Sequence, residues 1–261
     1  MGHAEAGHRL AIERAAALAD RDGAAVRSGP GWLAVRSGAA SNDLNAVIST
    51  PGFVPDSGLL EDLEGWWDDV PASWLVAEPH EALTQALVEA GWDPERTGRW
   101  CGRALDTDHP VAGVASIEAV GGDEDLECWL DVATECGWIE GDDERLVRRD
   151  LLRSAYADPR EAIWLARLDG QPVGMARGWC SASDLEVVDV AVREAARRRG
   201  VGTALVSTVL TWGASRGALD VVAAPSPDGW RLFESLGFDN VPVVPDVCFH
   251  WSGWSQASCR G

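Results

Sequence analysis

Apolar residues in the second half of the chain change spacing at one point. Leu185–Val192 is crowded with Val, which predicts a strand. Val201, Leu205, Val206, Val209 and Trp212 then recur at helical spacing, so a helix follows directly. The same reading predicts strands over Val114–Val120, Ile163–Leu168, Val173–Trp179, Val221–Ala224 and Val243–Trp251. Helices are expected over Asp123–Cys136, over Asp143–Tyr156 and around Phe233. "DGQP" between the second and third strands marks a hairpin turn. The result is a mixed α/β chain with α+β-like layers. The first twenty residues read as an Ala-rich amphipathic helix.

A repeat lies under this pattern. "ASWLVAEPHEALTQALVEAGWD" (Ala72–Asp93) aligns without a gap on "ALDVVAAPSPDGWRLFESLGFD" (Ala218–Asp239). Each copy reads as a strand, a Pro, a short helix and a Gly-aromatic-Asp ending, which points to a duplicated unit. Polar residues, Pro and Gly in "DTDHPVAG" (Asp106–Gly113) mark the expected boundary, with domains over residues 1–109 and 112–256.

Composition narrows the chemistry. The 261 residues carry a net charge of −20, which argues against nucleic acid and permits a cationic small molecule. Every basic residue is Arg, so no lysine Schiff base is available. The six Cys form no C-x-x-C and the five His are scattered, so no metal site is expected. Apolar runs stay short of membrane-spanning length and the start shows no signal-peptide pattern, so a cytoplasmic, membrane-free protein is expected. The fourteen Trp suit core packing, though Trp66 and Trp67 could line a pocket.

The change of spacing falls at "RRRGVGTAL" (Arg197–Leu205), where a strand feeds a helix through two glycines. Helix starts present unpaired N–H groups with partial positive charge, and glycine lets an anion come close. The spacing is neither the dinucleotide fingerprint nor a P-loop. An anion site and a plain turn both remain open on this loop alone. In the first half the matching region, "STPGFVPDSGLLEDLEGWWDDV", has no Gly-x-Gly and carries Asp56, Glu61 and Asp62, which would repel a phosphate.

The second half resembles the GCN5-related N-acetyltransferase (GNAT) family. "VREAARRRGVG" carries the family's Arg/Gln-x-x-Gly-x-Gly/Ala signature as Arg197, Gly200 and Gly202, after a strand ending at Val192. "GWRLFESLGF" resembles its later helix and "DGQPVGMARGW" its hairpin, so the match runs from about Ala112 to Trp251. The two copies resemble tandem members, with a degenerate first copy expected to be structural. The resemblance implies two splayed mixed sheets flanked by helices. It implies acetyl-CoA, or another acyl-CoA, in the cleft beside Val192. Backbone groups of Val190 and Val192 would pair with the pantetheine arm. The pyrophosphate would lie on Arg198, Arg199, Gly200, Val201, Gly202 and Thr203, beside Arg197.

The family's general base often sits six residues before Val192, which here is Glu186; Asp189 is the second candidate and Asp184 a weaker third. A frequent family Tyr, the general acid, is replaced by Phe233, and a frequent Asn by Ser226; both are expected beside the cofactor. The activity implied is acetyl transfer by direct attack of a small-molecule amine, by a monomer or a homodimer. Two alternatives stay open: a non-catalytic acyl-CoA-binding or sensor protein, and other acyl-CoA chemistry such as O-acylation, condensation or decarboxylation.

Overall fold

Two sheets organise the chain. The computed structural model describes residues 3–21, 23–39, 41, 44–67, 70–76, 81–95, 100–105, 115–240 and 248–251. In the first sheet the strands are β1 (Ala25–Gly29), β2 (Trp32–Arg36), β3 (Asn45–Ser49), β4 (Ser73–Val76), β5 (Trp92–Glu95) and β13 (Cys248–Trp251). Their order is β1-β2-β3-β4-β13-β5. Its helices include α2 (Ser57–Trp67), which makes the crossover between parallel β3 and β4, and α3 (Glu81–Glu89); α1 (His3–Ala17) opens the chain. Trp67, Trp74, Leu83, Leu87 and Trp92 fill this core, so Trp67 is a packing residue rather than a pocket wall. Trp74 is fully buried and its indole N–H donates to Ser49 Oγ at 3.1 Å, which satisfies its polar atom.

The second sheet holds β6 (Cys101–Ala104), β7 (Ser116–Ala119), β8 (Glu161–Leu168), β9 (Gln171–Ser181), β10 (Asp184–Val192), β11 (Asp220–Ala223) and β12 (Asp239–Asn240). The order is β12-β6-β11-β10-β9-β8-β7. β8 and β9 meet through Asp169 and Gly170, both at positive φ (52° and 78°), the geometry a two-residue hairpin needs. α4 (Asp123–Glu135) and α5 (Asp142–Ala155) lie between β7 and β8 in the chain, and α6 (Val201–Ser215) crosses from β10 to parallel β11. α7 (Trp230–Ser235) follows β11.

Alternation along the strands divides the second core. Trp164, Ala176, Leu185 and Val187 join the apolar face of α6, while Ile163, Leu165 and Met175 join α4 through Leu126, Trp129 and Leu130. Full burial of a side chain such as Leu205 contributes roughly 1.5–3 kcal/mol and fixes α6 on β9 and β10. Gly213 allows the close approach: a Cβ there would stand 2.5 Å from Leu185 Cδ2.

The repeat has a structural counterpart. Both sheets run antiparallel strands into one parallel crossover, then a helix and a final strand. Gly91 and Gly237 close α3 and α7 at φ 88° and 79°, followed by buried Trp92 and Phe238. Between the parallel strand and that final strand, each sheet takes in one strand from the other copy's sequence. β6 follows the first copy yet pairs with β11 and β12, and β13 follows the second copy yet pairs with β4 and β5. The strand ending at Trp251, expected to complete the second half, therefore completes the first sheet. The compact units are residues 1–10 with 98–243, and residues 11–97 with 244–261, in place of one cut between 109 and 112. The expected linker, Asp106–Gly113, lies outside the described residues.

Candidate active site

β10 loses one neighbour half-way along. It pairs with β11 only from Asp184 opposite Asp220 to Val187 opposite Ala223. From Val188 to Val192 it continues against β9 alone, so the sheet opens on its β11 side. A β-bulge falls at the same point: Val188 faces Arg177 and Ala191 faces Met175, leaving two residues opposite one. Asp189, in the bulge, has φ 51°, a left-handed conformation that Asp tolerates better than most residues. Val190 and Val192 sit on this opened stretch, partly buried against the α6-side core.

The chain then turns into α6. Arg193 N–H donates to Val173 O at 2.8 Å, and Arg197 Nε donates to Val192 O at 3.0 Å, which ties the turn to the strand end. Arg198 and Gly200 both take positive φ, 61° and 81°. At Gly200 glycine is the residue that adopts this without strain. The first helical bond runs from Ala204 N–H to Gly200 O at 3.0 Å, so the N–H groups of Val201, Gly202 and Thr203 lie ahead of it. No side chain caps this end and no acidic residue lies in its first turn. Arg197, Arg198 and Arg199 are exposed beside it. At Gly202 space rather than dihedral is the constraint, since a Cβ would come 3.0 Å from Leu232 Cδ2. Donors, dipole and guanidinium charge thus converge where β10 opens, an arrangement that fits a diphosphate.

The three candidate carboxylates have different surroundings. Glu186 is 2% exposed, within the paired part of β10, opposite Trp179 and Val222. It alternates with Leu185 and Val187, so it lies on the face away from α6. Asp184 is ion-paired with Arg9 of α1. Asp189 Oδ2 lies 2.6 Å from Arg177 Nε, and Arg177 also donates to Glu161 Oε1 at 3.0 Å. Sequence reading missed Arg177, Glu161 and Arg9. The available signal was the set of charged residues interrupting apolar strands.

The other predicted positions serve the fold in this structure. Ser226 Oγ accepts the Gly229 N–H at 3.2 Å in the turn that leads into α7. Phe233, expected beside the cofactor, is 4% exposed and packs edge-on against Phe238 with ring centroids 5.1 Å apart. Tyr156 donates to Gly122 O at 3.3 Å, and burial pushes its hydroxyl pKa up. Burial also pushes the Cys101 thiol up to about 12, which makes it inert. Among the described residues no cluster of His, Cys, Asp and Glu could hold a metal, and no helix is long and apolar enough to cross a membrane.

The model of the Acetyltransferase (GNAT) family matches residues 123–238, which contain the bulge, the turn and α6. Those residues are a GNAT acetyltransferase domain. The fold likeness extends further. A GCN5-related N-acetyltransferase from Kribbella flavida superposes with a TM-score of 0.64 at 19% identity, over 94% of each chain. A tandem GNAT protein from the clavulanic acid biosynthesis pathway gives 0.56 at 14% identity, over 94% of this chain and 93% of that one. A GCN5-related N-acetyltransferase from Sphaerobacter thermophilus gives 0.55 at 18% identity, over 85% of this chain and 80% of that one. No curated protein matches significantly in sequence. The GNAT domain thus sits in a mixed α/β chain of tandem GNAT-like architecture, and its family chemistry is acetyl transfer.

Proposed function

We propose that the GNAT domain transfers an acetyl group from acetyl-CoA to the amine of a small molecule by direct attack. The observation that carries this reading is the coincidence of an opened β10 edge with an uncapped helix start at Gly200. The N–H groups from Arg198 to Thr203 hold the diphosphate, with Arg197, Arg198 and Arg199 adding charge. The edge at Val190 and Val192 takes the pantetheine amides as a neighbouring strand would. Acetyl-CoA, when bound, supplies the thioester: the amine nitrogen bonds to its carbonyl carbon, the C–S bond breaks, and the electron pair leaves on sulfur.

Glu186 takes the proton that the amine must lose. Asp189 is engaged with Arg177, and protonating it would give up that pair. Phe233 cannot donate a proton to the departing sulfur, which leaves as thiolate or takes its proton from water. The net charge of −20 suits a cationic amine. The first copy is structural, and the protein acts in the cytoplasm as a monomer or homodimer.

The buried Phe233 also favours a second reading, an acyl-CoA-binding protein without turnover. One experiment separates the two. Full-length protein is titrated with acetyl-CoA by calorimetry, then assayed for release of free thiol against a panel of small amines. Binding with turnover supports the transferase, binding without turnover the sensor, and no binding excludes both.

A further inference from the structure

We infer that Arg177 is a positioning residue that sets the acyl-binding edge of β10 by holding Asp189 in its left-handed conformation. The inference rests on the acetyl-CoA site proposed above. Arg177 stands on the middle strand of three. Its Nε reaches Asp189 on β10 at 2.6 Å, and its NH1 donates to Glu161 on β8 at 3.0 Å. All three side chains are nearly buried, at 12%, 9% and 3% exposure for Arg177, Asp189 and Glu161. One guanidinium on β9 thus links the bulge of β10 on one side to β8 on the other.

The place of the tie gives it a function. An L-residue at φ 51° is disfavoured and persists only where its surroundings over-determine it. The residue in question lies two positions after Val187, the last residue of β10 that pairs with β11. The torsions of Asp189 orient the peptide it forms with Val190, and so the direction of the Val190 N–H on the opened stretch. In this proposal that N–H donates to the acyl carbonyl oxygen, where negative charge develops during attack. Without the guanidinium, Asp189 relaxes toward negative φ and the amide turns away. Arg177 therefore acts on the reaction through the backbone and touches no substrate atom.

The test separates the dihedral from the charge. Acetyl-CoA labelled with carbon-13 at the acetyl carbonyl is bound to full-length protein, and its carbonyl stretch is read by infrared difference spectroscopy. Calorimetry follows affinity in parallel. In the wild type the stretch is expected to fall below its value in free acetyl-CoA. Asp189→Ala and Arg177→Met should lose that fall while still binding. Asp189→Gly should keep it, because glycine holds positive φ unaided. Arg177→Met with Asp189→Gly should recover it, and Arg177→Met with Asp189→Ala should not. Equal behaviour of the Gly and Ala variants would overturn the proposal, since both remove the carboxylate. So would an unshifted wild-type carbonyl in a protein that binds. A wild type that binds no acetyl-CoA at all would instead remove the underlying site, and the inference with it.

Discussion

Asp56 and Gly200 stand at equivalent helix starts in the two sheets, one occupied and one open. Each precedes the helix that crosses between parallel strands, α2 after β3 and α6 after β10. Asp56 Oδ1 accepts the Leu59 N–H at 2.8 Å, so the first copy satisfies its helix start with its own carboxylate. Gly200, at φ 81°, brings no side chain and leaves α6 without a side-chain cap.

This difference predicts one acetyl-CoA per chain, held at α6. Gly202→Asp should abolish binding in a calorimetric titration, because it adds a carboxylate where the diphosphate lies. Gly202→Ala should weaken it only slightly: the new Cβ meets Leu232 Cδ2 at 3.0 Å, a flexible side-chain end that can move. Two equivalent sites in the wild-type isotherm would mean that Asp56 does not block the first copy.

Proton removal is assigned to Glu186, and its replacement gives the second prediction. Glu186→Gln should lower kcat by roughly 10²–10⁴-fold, the range for losing a general base. Acetyl-CoA affinity should hold, since Glu186 lies on the face of the sheet away from α6. Asp189→Gly should retain turnover, because it removes the carboxylate without disturbing positive φ. The reverse pattern would move the base to Asp189.

Local signals in the sequence were enough for part of this. The Val-rich run at β10, the helical spacing of Val201, Leu205 and Val209, and Gly200 between them are set by neighbours in the chain, so they read directly. The repeat was legible because Gly91 and Gly237 meet the same local demand at a helix end. The exchange of β6 and β13 was not legible. A strand's edge is satisfied by any backbone partner, so Cys101–Ala104 carries no mark of which sheet it joins. Nor did the pairing of Arg177 with Asp189 show. It depends on β9–β10 register and on a bulge that the sequence "EVVDVAV" does not announce.

Cys101 provides a test through pH. Its thiol is pushed up to about 12 in the folded chain by burial, against about 8.5 for an unfolded cysteine. Between those values the unfolded chain sheds this proton and the folded chain keeps it. The contribution to stability is therefore complete below about pH 8.5 and lost progressively as pH rises through that window. Urea titrations at pH 8 and at pH 10.5 should show a smaller alkaline loss in Cys101→Ala than in the wild type. Equal losses would mean that the thiol ionises in place.

The strand exchange makes a prediction about where the chain can be cut. The boundary drawn from composition favours a fragment starting at residue 110, which removes β6. In the folded chain β6 pairs with β11 from Ala104 opposite Asp220 to Cys101 opposite Ala223, and with β12 at Gly102 and Cys101. Arg103 NH1 donates to Leu236 O at 2.8 Å, and Cys101 is fully buried. Without β6 the second sheet has an open edge at β11, where Val221 and Val222 are also fully buried in the intact chain. An apolar edge of that kind invites aggregation. A fragment starting at residue 98, where the compact unit resumes, keeps the strand. Both fragments lack α1 and the Arg9–Asp184 pair, so the comparison isolates β6. The longer fragment should melt cooperatively by circular dichroism and bind acetyl-CoA. The shorter should precipitate or melt without cooperativity. Matching melts and matching affinities would show that β6 is dispensable to the sheet that carries β10 and α6.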